Sequence, residues 1–265
     1  INDINPDEIY NLAAQSHVKI SFQIPEYTSD VNALGPLRLL EIIRHYKRKK
    51  IKFYQASSSE MFGKSKPPQN ENTLFQPRSV YAISKVFAYH CVVHYREAYN
   101  LHACNGILFN HESPRRGVNF VTKKIVQGLT RIKKGQQKTL TLGNLYARRD
   151  WGHAKDYVDS MWKILQYKKA DDYVVSTNTS HSVKDFVNIC SKKLNMNIIW
   201  KNKGLKEIGI EKNTNRIIIK IDKKYFRETE VDNLIGDYTK AKTKLKWKPK
   251  YSFEKLVDDM IKNEF

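Results

Sequence analysis

Tyr81 and Lys85 stand four residues apart in the stretch Ser79-Val-Tyr-Ala-Ile-Ser-Lys85. Residues at that spacing share one face of a helix. A lysine cation beside a phenol favours phenolate and lowers a tyrosine pKa from about 10, which makes the pair a candidate proton-transfer device. Spacing alone does not single this pair out. The chain holds 15 Tyr and 35 Lys in 265 residues. Random placement at those frequencies gives roughly two pairs at this helical spacing. Four occur: Tyr46/Lys50, Tyr81/Lys85, Tyr238/Lys242 and Tyr251/Lys255.

The surroundings distinguish one copy. Ala56-Ser-Ser-Ser-Glu60 follows the β-rich run Ile51 to Ser57. In open α/β sheets ligands bind beyond the C-terminal ends of strands. Alternate residues of an extended segment point the same way, so Ser58 and Glu60 can face one cleft. The helix carrying Tyr81 and Lys85 starts after the next loop and can run back beside this strand end. No other Tyr/Lys pair follows such a polar strand end. The residues by themselves leave two readings open: a catalytic cluster, or a solvated serine-rich turn followed by an ordinary helix.

The elements that must position these groups alternate. Glu8 to Ala14 reads as a strand. A helix follows from Val31 to Tyr46, with Leu34, Leu37, Leu40, Ile43 and Tyr46 at helical spacing. Ile51–Ser57 is a second strand, Tyr81–Tyr99 a second helix and Cys104–Phe109 a third strand. This β-α-β-α-β order predicts an α/β fold, a Rossmann-like parallel sheet with helical crossovers. Beyond Arg116 the pattern changes. Helices are expected over Phe120–Lys134, Asp156–Tyr167, Ser182–Leu194 with a serine cap, and Ser252–Lys262; strands over Thr139–Leu142, Tyr173–Ser176 and, buried, Arg216–Ile221. The expected organisation is a cofactor domain over 1–117 and a smaller α/β substrate domain over 118–265, with about 145–180 returning to the sheet.

Composition bounds the function. A 40% hydrophobic chain of this length supports a globular core. No apolar run approaches 20 residues, so no membrane helix is expected, and no signal segment is visible. Cys91, Cys104 and Cys190 are too scattered for a metal or disulfide framework and read as reduced thiols of a cytoplasmic protein. The net charge of +20 has three readings: a nucleic-acid partner, a general lysine bias, or attraction of a phosphate-bearing small molecule. The excess is mostly lysine spread along the chain, without zinc-finger spacing, basic arm or RNA-binding signature. The dense run Lys47–Lys50 reads as a helix C-terminus.

Ser-Ser-Ser-Glu60 ahead of Tyr81-x-x-x-Lys85 resembles the extended short-chain dehydrogenase/reductase family, whose members modify nucleotide sugars. Asn110-His-Glu-Ser-Pro-Arg-Arg-Gly117 and Arg149-Asp-Trp-Gly-His-Ala-Lys-Asp-Tyr157 are similar to signatures of its branch acting on GDP-mannose. So are Phe53–Ser57, Tyr225-Phe-Arg227 with Glu230, Gly236–Ala241 and Trp247-Lys-Pro249. The resemblance runs from about Pro6 to the chain end. It implies dehydration of GDP-mannose to GDP-4-keto-6-deoxymannose, a step toward GDP-fucose and other GDP-deoxyhexoses. NADP is the implied cofactor, with no metal, no nucleic acid and no membrane. Ser58 would hydrogen-bond the sugar 4-hydroxyl, Tyr81 would take its proton, Lys85 would hold the nicotinamide ribose, and Glu60 would take the C5 proton. The resemblance gives cofactor contacts to Leu12, Ala13, Ala14, Gln15, Ser16, Tyr27, His111 and Arg116 as well. It gives the nucleotide-sugar side to Asn110, Lys124, Asn144, Arg149, Arg227 and Glu230. The family usually has glycine where this chain has Ala13, and proline where it has Glu228. It implies a homodimer or homotetramer, with the loop of Arg115 and Arg116 reaching toward a neighbouring subunit. Glu60 favours dehydration over epimerisation; the rivals are another nucleotide-sugar dehydratase or epimerase, a catalytically silent fragment and a nucleic-acid-binding protein.

Such a fold opens with a strand and a glycine-rich turn that brings backbone amides to the cofactor pyrophosphate. No such cluster occurs among the 11 Gly. The sequence starts where the family has its fourth strand. The expectation is that roughly seventy residues, about two βαβ steps, precede Ile1 in a complete chain. The 265-residue chain alone should then bind NADP+ weakly, aggregate readily and lack turnover.

Overall fold

The computed structural model describes residues 1–46 and 50–264. The reading of the basic run as a helix end falls on 47–49, outside the described residues. In chain order the strands are β1 (Glu8–Asn11), β2 (Lys52–Ser58), β3 (Ala103–Leu108), β4 (Asn110–Glu112), β5 (Leu140–Leu142), β6 (Arg148–Arg149), β7 (Trp151–His153), β8 (Asp172–Val175), β9 (His181–Ser182), β10 (Ile198–Lys201), β11 (Ile208–Glu211) and β12 (Arg216–Ile221). The α-helices are α1 (Pro25–Ser29), α2 (Gly35–His45), α3 (Val80–Tyr99), α4 (Val121–Lys133), α5 (Ala154–Gln166), α6 (Val183–Lys193), α7 (Thr239–Leu245) and α8 (Phe253–Lys262).

Four strands form a parallel sheet in the order β1-β2-β3-β8. Alternation along β2 sends Phe53 and Tyr54 to opposite faces. Phe53 packs with Leu40, Ile43, Val92 and Tyr95 beneath α2 and α3. Tyr54 packs with Tyr157, Tyr173 and Trp247 beneath α5 and α7. Both faces are covered, as a parallel sheet requires. A second sheet, β10-β11-β12-β5, carries α4, α6 and α8 around Trp151, Phe186 and Phe253. Its β12–β5 pair is parallel and its other pairs antiparallel.

Three local expectations change. The first strand stops at Asn11, where pairing with Gln55 ends, rather than at Ala14. Leu12 and Ala13 lie exposed in the following loop, so this apolar run imitated a strand without pairing. The first helix begins at Pro25, not Val31, and passes through a π-helical turn over Asp30–Leu34. Pro36 has no N–H and its ring would clash with a carbonyl one turn back; a widened turn just ahead of it relieves the clash. β12 is buried at Ile218 and Ile219 but exposed at Arg216 and Ile217.

Helix α3 is fixed to the sheet by a buried polar network. Arg96 donates twice to the Asp172 carboxylate, at 2.9 and 2.7 Å, and once to the Ala103 carbonyl. Asn105 donates to Asp172 at 2.8 Å and Tyr89 at 3.1 Å. One carboxylate on β8 thus gathers donors from β3 and from two turns of α3. Removing it would leave a largely buried guanidinium unpaired. Asp172→Ala is expected to cost about 3–5 kcal/mol of unfolding free energy, and Asp172→Asn less, as read by urea denaturation. A loss below about 1 kcal/mol for the alanine variant would show that the network contributes little.

Candidate active site

The site forms where β2 ends. Ser58 is still extended, and its hydroxyl accepts the Glu60 N–H at 3.2 Å, opening a short 3-10 turn over Ser59–Phe62. Gly63 closes that turn at φ +53°, where an added Cβ would lie 1.8 Å from the Gln76 carbonyl oxygen. Only glycine suits this exit. Ser79 then caps α3 by accepting the Ala82 N–H at 3.1 Å. Two serine-capped turns therefore bring the first turn of α3 against the strand end. Ser58, Glu60, Tyr81 and Lys85 are all buried, each at most 9% exposed.

Burial raises the Tyr81 phenol above its ordinary pKa; a hydrogen bond from Ser58 opposes this, the Glu60 charge adds to it and the Arg116 cation counters it. Lys85 follows one turn along the same helix. Its ammonium lies 6.0 Å from the Tyr81 ring centre and donates to the Ala56 carbonyl at 2.9 Å. Burial lowers Lys85 to about 8. Among the charges acting on Tyr81, that of Arg116, from a distant segment of sequence, favours ionisation.

Glu60 faces two guanidinium groups. Arg149 Nε lies 3.8 Å and Arg227 Nη1 3.4 Å from its carboxylate. Arg149, on β6, is anchored by Nη1 to the carbonyls of Arg148 and Val231 at 2.8 and 2.7 Å. Its burial lowers its pKa, an effect partly offset by Glu60. Glu230 accepts the Arg227 N–H at 3.1 Å and so shapes the turn that presents Arg227.

The segment after β3 supplies the third wall. His111 stacks on Tyr157, centroids 4.7 Å apart, with Nδ1 2.9 Å from the Phe109 carbonyl oxygen. Burial lowers it to about 4, so it is neutral near pH 7. Arg116 pairs through Nε with Glu112 at 3.0 Å and lies 3.6 Å over the Phe120 ring. Phe120 also meets His17, which extends this wall to the loop after β1. In that loop Leu12, Ala13 and Ser16 are exposed, and Ala14 and Gln15 half-buried. Asn32 clamps Gln15 from both sides, accepting its N–H at 2.8 Å and donating to its carbonyl at 3.0 Å. Tyr27 stands exposed on α1, with no partner that ties it to the cluster.

Two other positions take partners elsewhere. Lys124 Nζ sits 3.5 Å over the Tyr225 ring. Asn144 accepts the Tyr146 N–H at 2.9 Å in a local turn. Its neighbour Gly143 meets the Tyr225 carbonyl so closely that an added Cβ would come within 2.7 Å. Lys124, Asn144 and Arg227 are therefore joined through the Tyr225–Arg227 segment rather than by direct contact. Sequence reasoning passed over His17, Asn32 and Glu112. Asn32 interrupts a helical apolar pattern and Glu112 sits inside a quoted signature, but neither residue type announces its partner.

The donors and acceptors fit a dinucleotide and an anionic sugar. An ammonium has three donors, and Ala56 takes one of those of Lys85, leaving two for ribose hydroxyls. Gln15 Oε1 and Asn110 Oδ1 are buried without a partner. Arg116 Nε is likewise buried without a hydrogen-bond partner, and a guanidinium binds phosphate well. Among the described residues no cluster of His, Cys, Asp and Glu suits a metal ion.

Comparison with known proteins places this geometry. The family described as GDP-mannose 4,6 dehydratase matches residues 1–260. GDP-mannose 4,6 dehydratase 1 of Arabidopsis thaliana is 57% identical over 261 residues, 97% of this chain and 68% of that protein. GDP-mannose 4,6 dehydratase of Drosophila melanogaster is 53% identical over 264 residues, covering 99% and 67%. The Homo sapiens protein of that name is 52% identical over 263 residues, covering 98% and 71%. Among solved structures, RMD from Pseudomonas aeruginosa complexed with NADPH superposes with TM-score 0.82 at 21% identity, over 98% of this chain and 81% of that one. dTDP-glucose 4,6-dehydratase from Bacillus anthracis in complex with NAD gives 0.78 at 23% identity, over 99% and 74%. These structural likenesses establish the shared α/β fold.

The buried lysine has a measurable signature. Its pKa is about 8 in the folded chain against an ordinary 10.5. Between those values the unfolded chain binds more protons, so stability rises with pH across that window and is depressed below pH 8. Lys85→Met is expected to stabilise the ligand-free protein at pH 7 by up to about 3 kcal/mol and to flatten the rise above pH 8. Chemical denaturation at pH 7 and pH 10 reads both. A variant less stable than the parent at pH 7 would mean that the ammonium is favourably held.

Proposed function

The chain belongs to the GDP-mannose 4,6-dehydratase family, and on that premise we propose that it removes water from GDP-mannose to give GDP-4-keto-6-deoxymannose with NADP as its cofactor. The single observation that best supports the reading is a carboxylate, Glu60, buried beside the Ser58–Tyr81 pair at one strand end. Oxidation at C4 needs a base for the hydroxyl proton. Dehydration needs a second base at C5, and this site offers both.

NADP, which Lys85, His111 and Arg116 would hold, would supply the hydride acceptor for C4 and the hydride donor for C6. Ser58 orients the sugar 4-hydroxyl, and Tyr81 accepts its proton as C4 becomes a ketone. The ketone acidifies the C5 hydrogen. Glu60 takes that proton and hands it to the departing 6-hydroxyl, which leaves as water. Hydride at C6 and a new proton at C5, balanced by the one Tyr81 took from the 4-hydroxyl, complete the 6-deoxy product. Arg149 and Arg227, flanking Glu60, keep the carboxylate aimed at the sugar. General acid–base steps of this kind each contribute about 10²–10⁴-fold.

Lys85 holds the nicotinamide ribose with its unused donors. Leu12–Ser16, Tyr27, His111 and Arg116 line the cofactor side in this reading. Asn110, Lys124, Asn144, Arg149, Arg227 and Glu230 serve the nucleotide sugar. The +20 net charge draws a diphosphate-bearing substrate toward this surface. The assembly is a homodimer or homotetramer, working in the cytoplasm. No described helix is long and apolar enough to cross a membrane.

The complete gene product, given GDP-mannose and catalytic NADP+, is expected to yield a product one water lighter with no net cofactor consumption, as read by mass spectrometry. Turnover of another nucleotide sugar with none of GDP-mannose would overturn the substrate. Glu60→Gln and Tyr81→Phe are each expected to lose about 10²-fold or more in kcat. They should differ in a single turnover: reduced cofactor accumulates in Glu60→Gln, because C4 oxidation survives, and does not appear in Tyr81→Phe. Near-normal turnover in both variants would remove these residues from the chemistry.

A further inference from the structure

Thr229 lies in the turn that presents Arg227, and no step of the reaction above uses it. Its hydroxyl donates to the Arg78 carbonyl at 2.6 Å. Arg78 stands immediately before Ser79, the residue that caps α3 two positions ahead of Tyr81. The cap residue's own carbonyl accepts the first bond of the helix, from the Ile83 N–H at 2.9 Å. The Arg78 carbonyl lies one residue too early for that ladder and is left for Thr229. One hydrogen bond thus joins the turn over 227–230 to the start of the helix that carries Tyr81. Within the turn, Glu230 accepts the Arg227 N–H at 3.1 Å. The Arg227 side chain then reaches Glu60, with Nη1 3.4 Å from Oε1.

Arg149 approaches the same carboxylate oxygen, its Nε 3.8 Å away. The two cations are held differently. The Arg149 side chain is buried, and its Nη1 donates to two carbonyls. The Arg227 side chain is 25% exposed, and among the described residues Glu60 is the one hydrogen-bond partner of its guanidinium. Its place therefore depends on the backbone that carries it. From Val231 onward that backbone is bonded repeatedly. The Val231 carbonyl takes Arg149, the Asp232 carbonyl takes the Arg148 N–H, and Ile235 exchanges hydrogen bonds with Gln69. Ahead of Val231, the turn itself is tied to another segment by Thr229.

We propose that Thr229 is a positioning residue for the reaction: by tying the 227–230 turn to the Arg78 carbonyl, it holds Arg227 against Glu60, so that the carboxylate is gripped at one oxygen and presents the other to the C5 proton. The proposal rests on Glu60 being the base at C5. Loss of the Thr229 hydroxyl leaves the Ser79 cap, the Lys85 contact to Ala56 and the strand-end position of Ser58 in place. The fault is therefore confined to the second half of the reaction. Oxidation at C4 through Tyr81 proceeds, and proton removal at C5 slows.

The test uses the complete gene product with Thr229→Val, Thr229→Ser, Arg227→Met and the Thr229→Val/Arg227→Met pair. In a single turnover of GDP-mannose, reduced cofactor is followed by its absorbance and product by mass spectrometry. Thr229→Val is expected to lower kcat about tenfold, short of the roughly hundredfold that a 1 Å misplacement can cost, and to accumulate more reduced cofactor than the parent. Thr229→Ser keeps the hydroxyl and should restore both. The double variant should match Arg227→Met alone, because residues that act through one another are not additive. A merely structural role would lower thermal stability and the amount of active protein, and would leave the partition between the two steps unchanged. Unchanged kcat in Thr229→Val overturns the proposal. So does a loss of kcat without extra reduced cofactor, no recovery in Thr229→Ser, or a Thr229→Val effect undiminished in the Arg227→Met background. Should Thr229→Val fail to fold, Thr229→Ala removes the same bond without setting a methyl against the carbonyl, and is read the same way. Failure of both to fold overturns the proposal too, since the tie would then serve the fold. Near-normal turnover in Glu60→Gln would instead overturn the underlying assignment of the C5 base.

Discussion

The site depends on how helix α3 is fastened to the parallel sheet. At its first turns Lys85 donates to the Ala56 carbonyl of β2, and in its last turn Arg96 grips Asp172 of β8. The two attachments reach strands on either side of β3. Between them Val92 and Tyr95 pack on Phe53. A helix held at both ends cannot slide or rotate by a fraction of a turn. In the proposed reaction that rigidity matters, because Tyr81 would act only within hydrogen-bonding reach of Ser58, and misplacement by about 1 Å is expensive in catalysis.

The same fastening concentrates cost in the site. Lys85 is buried with a single carbonyl partner, and burial pulls its pKa to about 8. Arg149 is buried against carbonyl oxygens and Glu60. A protein optimised for stability alone would place apolar groups here. Strain of this kind is expected where groups wait for a ligand, since ribose hydroxyls and phosphates supply the missing partners. The unpartnered oxygens of Gln15 and Asn110 belong to the same account.

Segments remote in sequence meet around the site. His17 meets Phe120, and the Lys19 ammonium donates to the Lys224 carbonyl. Asp150, between β6 and β7, accepts the Thr177 N–H and hydroxyl and the Gly236 N–H, tying the end of β8 to the segment that follows Arg227 and Glu230. Burial raises Asp150 to about 6 while these donors pull it down. Around the second sheet, Lys124 comes from the first turn of α4, Asn144 from the segment after β5 and Arg227 from the segment after β12.

Much of this was legible in the sequence, because helix and strand periods and capping residues are local. Ser182 announced one helix start as a capping residue, the starts near Tyr81 and Ser252 followed from the pattern, and the β-α-β-α-β order pointed to a parallel sheet. The signatures around Asn110–Gly117 and Arg149–Tyr157 carried the family, and the strand-end Ser58 and Glu60 with Tyr81 and Lys85 marked the site. The π-turn before Pro36 and the early stop of β1 were not legible, since pairing partners and steric relief are tertiary facts. Nor was the charge logic. Spacing put Lys85 beside Tyr81, yet one lysine side chain can reach only one place, and it reaches the Ala56 carbonyl. A second cation, Arg116, which also favours ionisation of Tyr81, comes from a loop remote in sequence and lies beside Glu112 and Phe120. Sequence determines which residues lie on one helix face. Burial, and the loops folded over that face, decide which charges they feel.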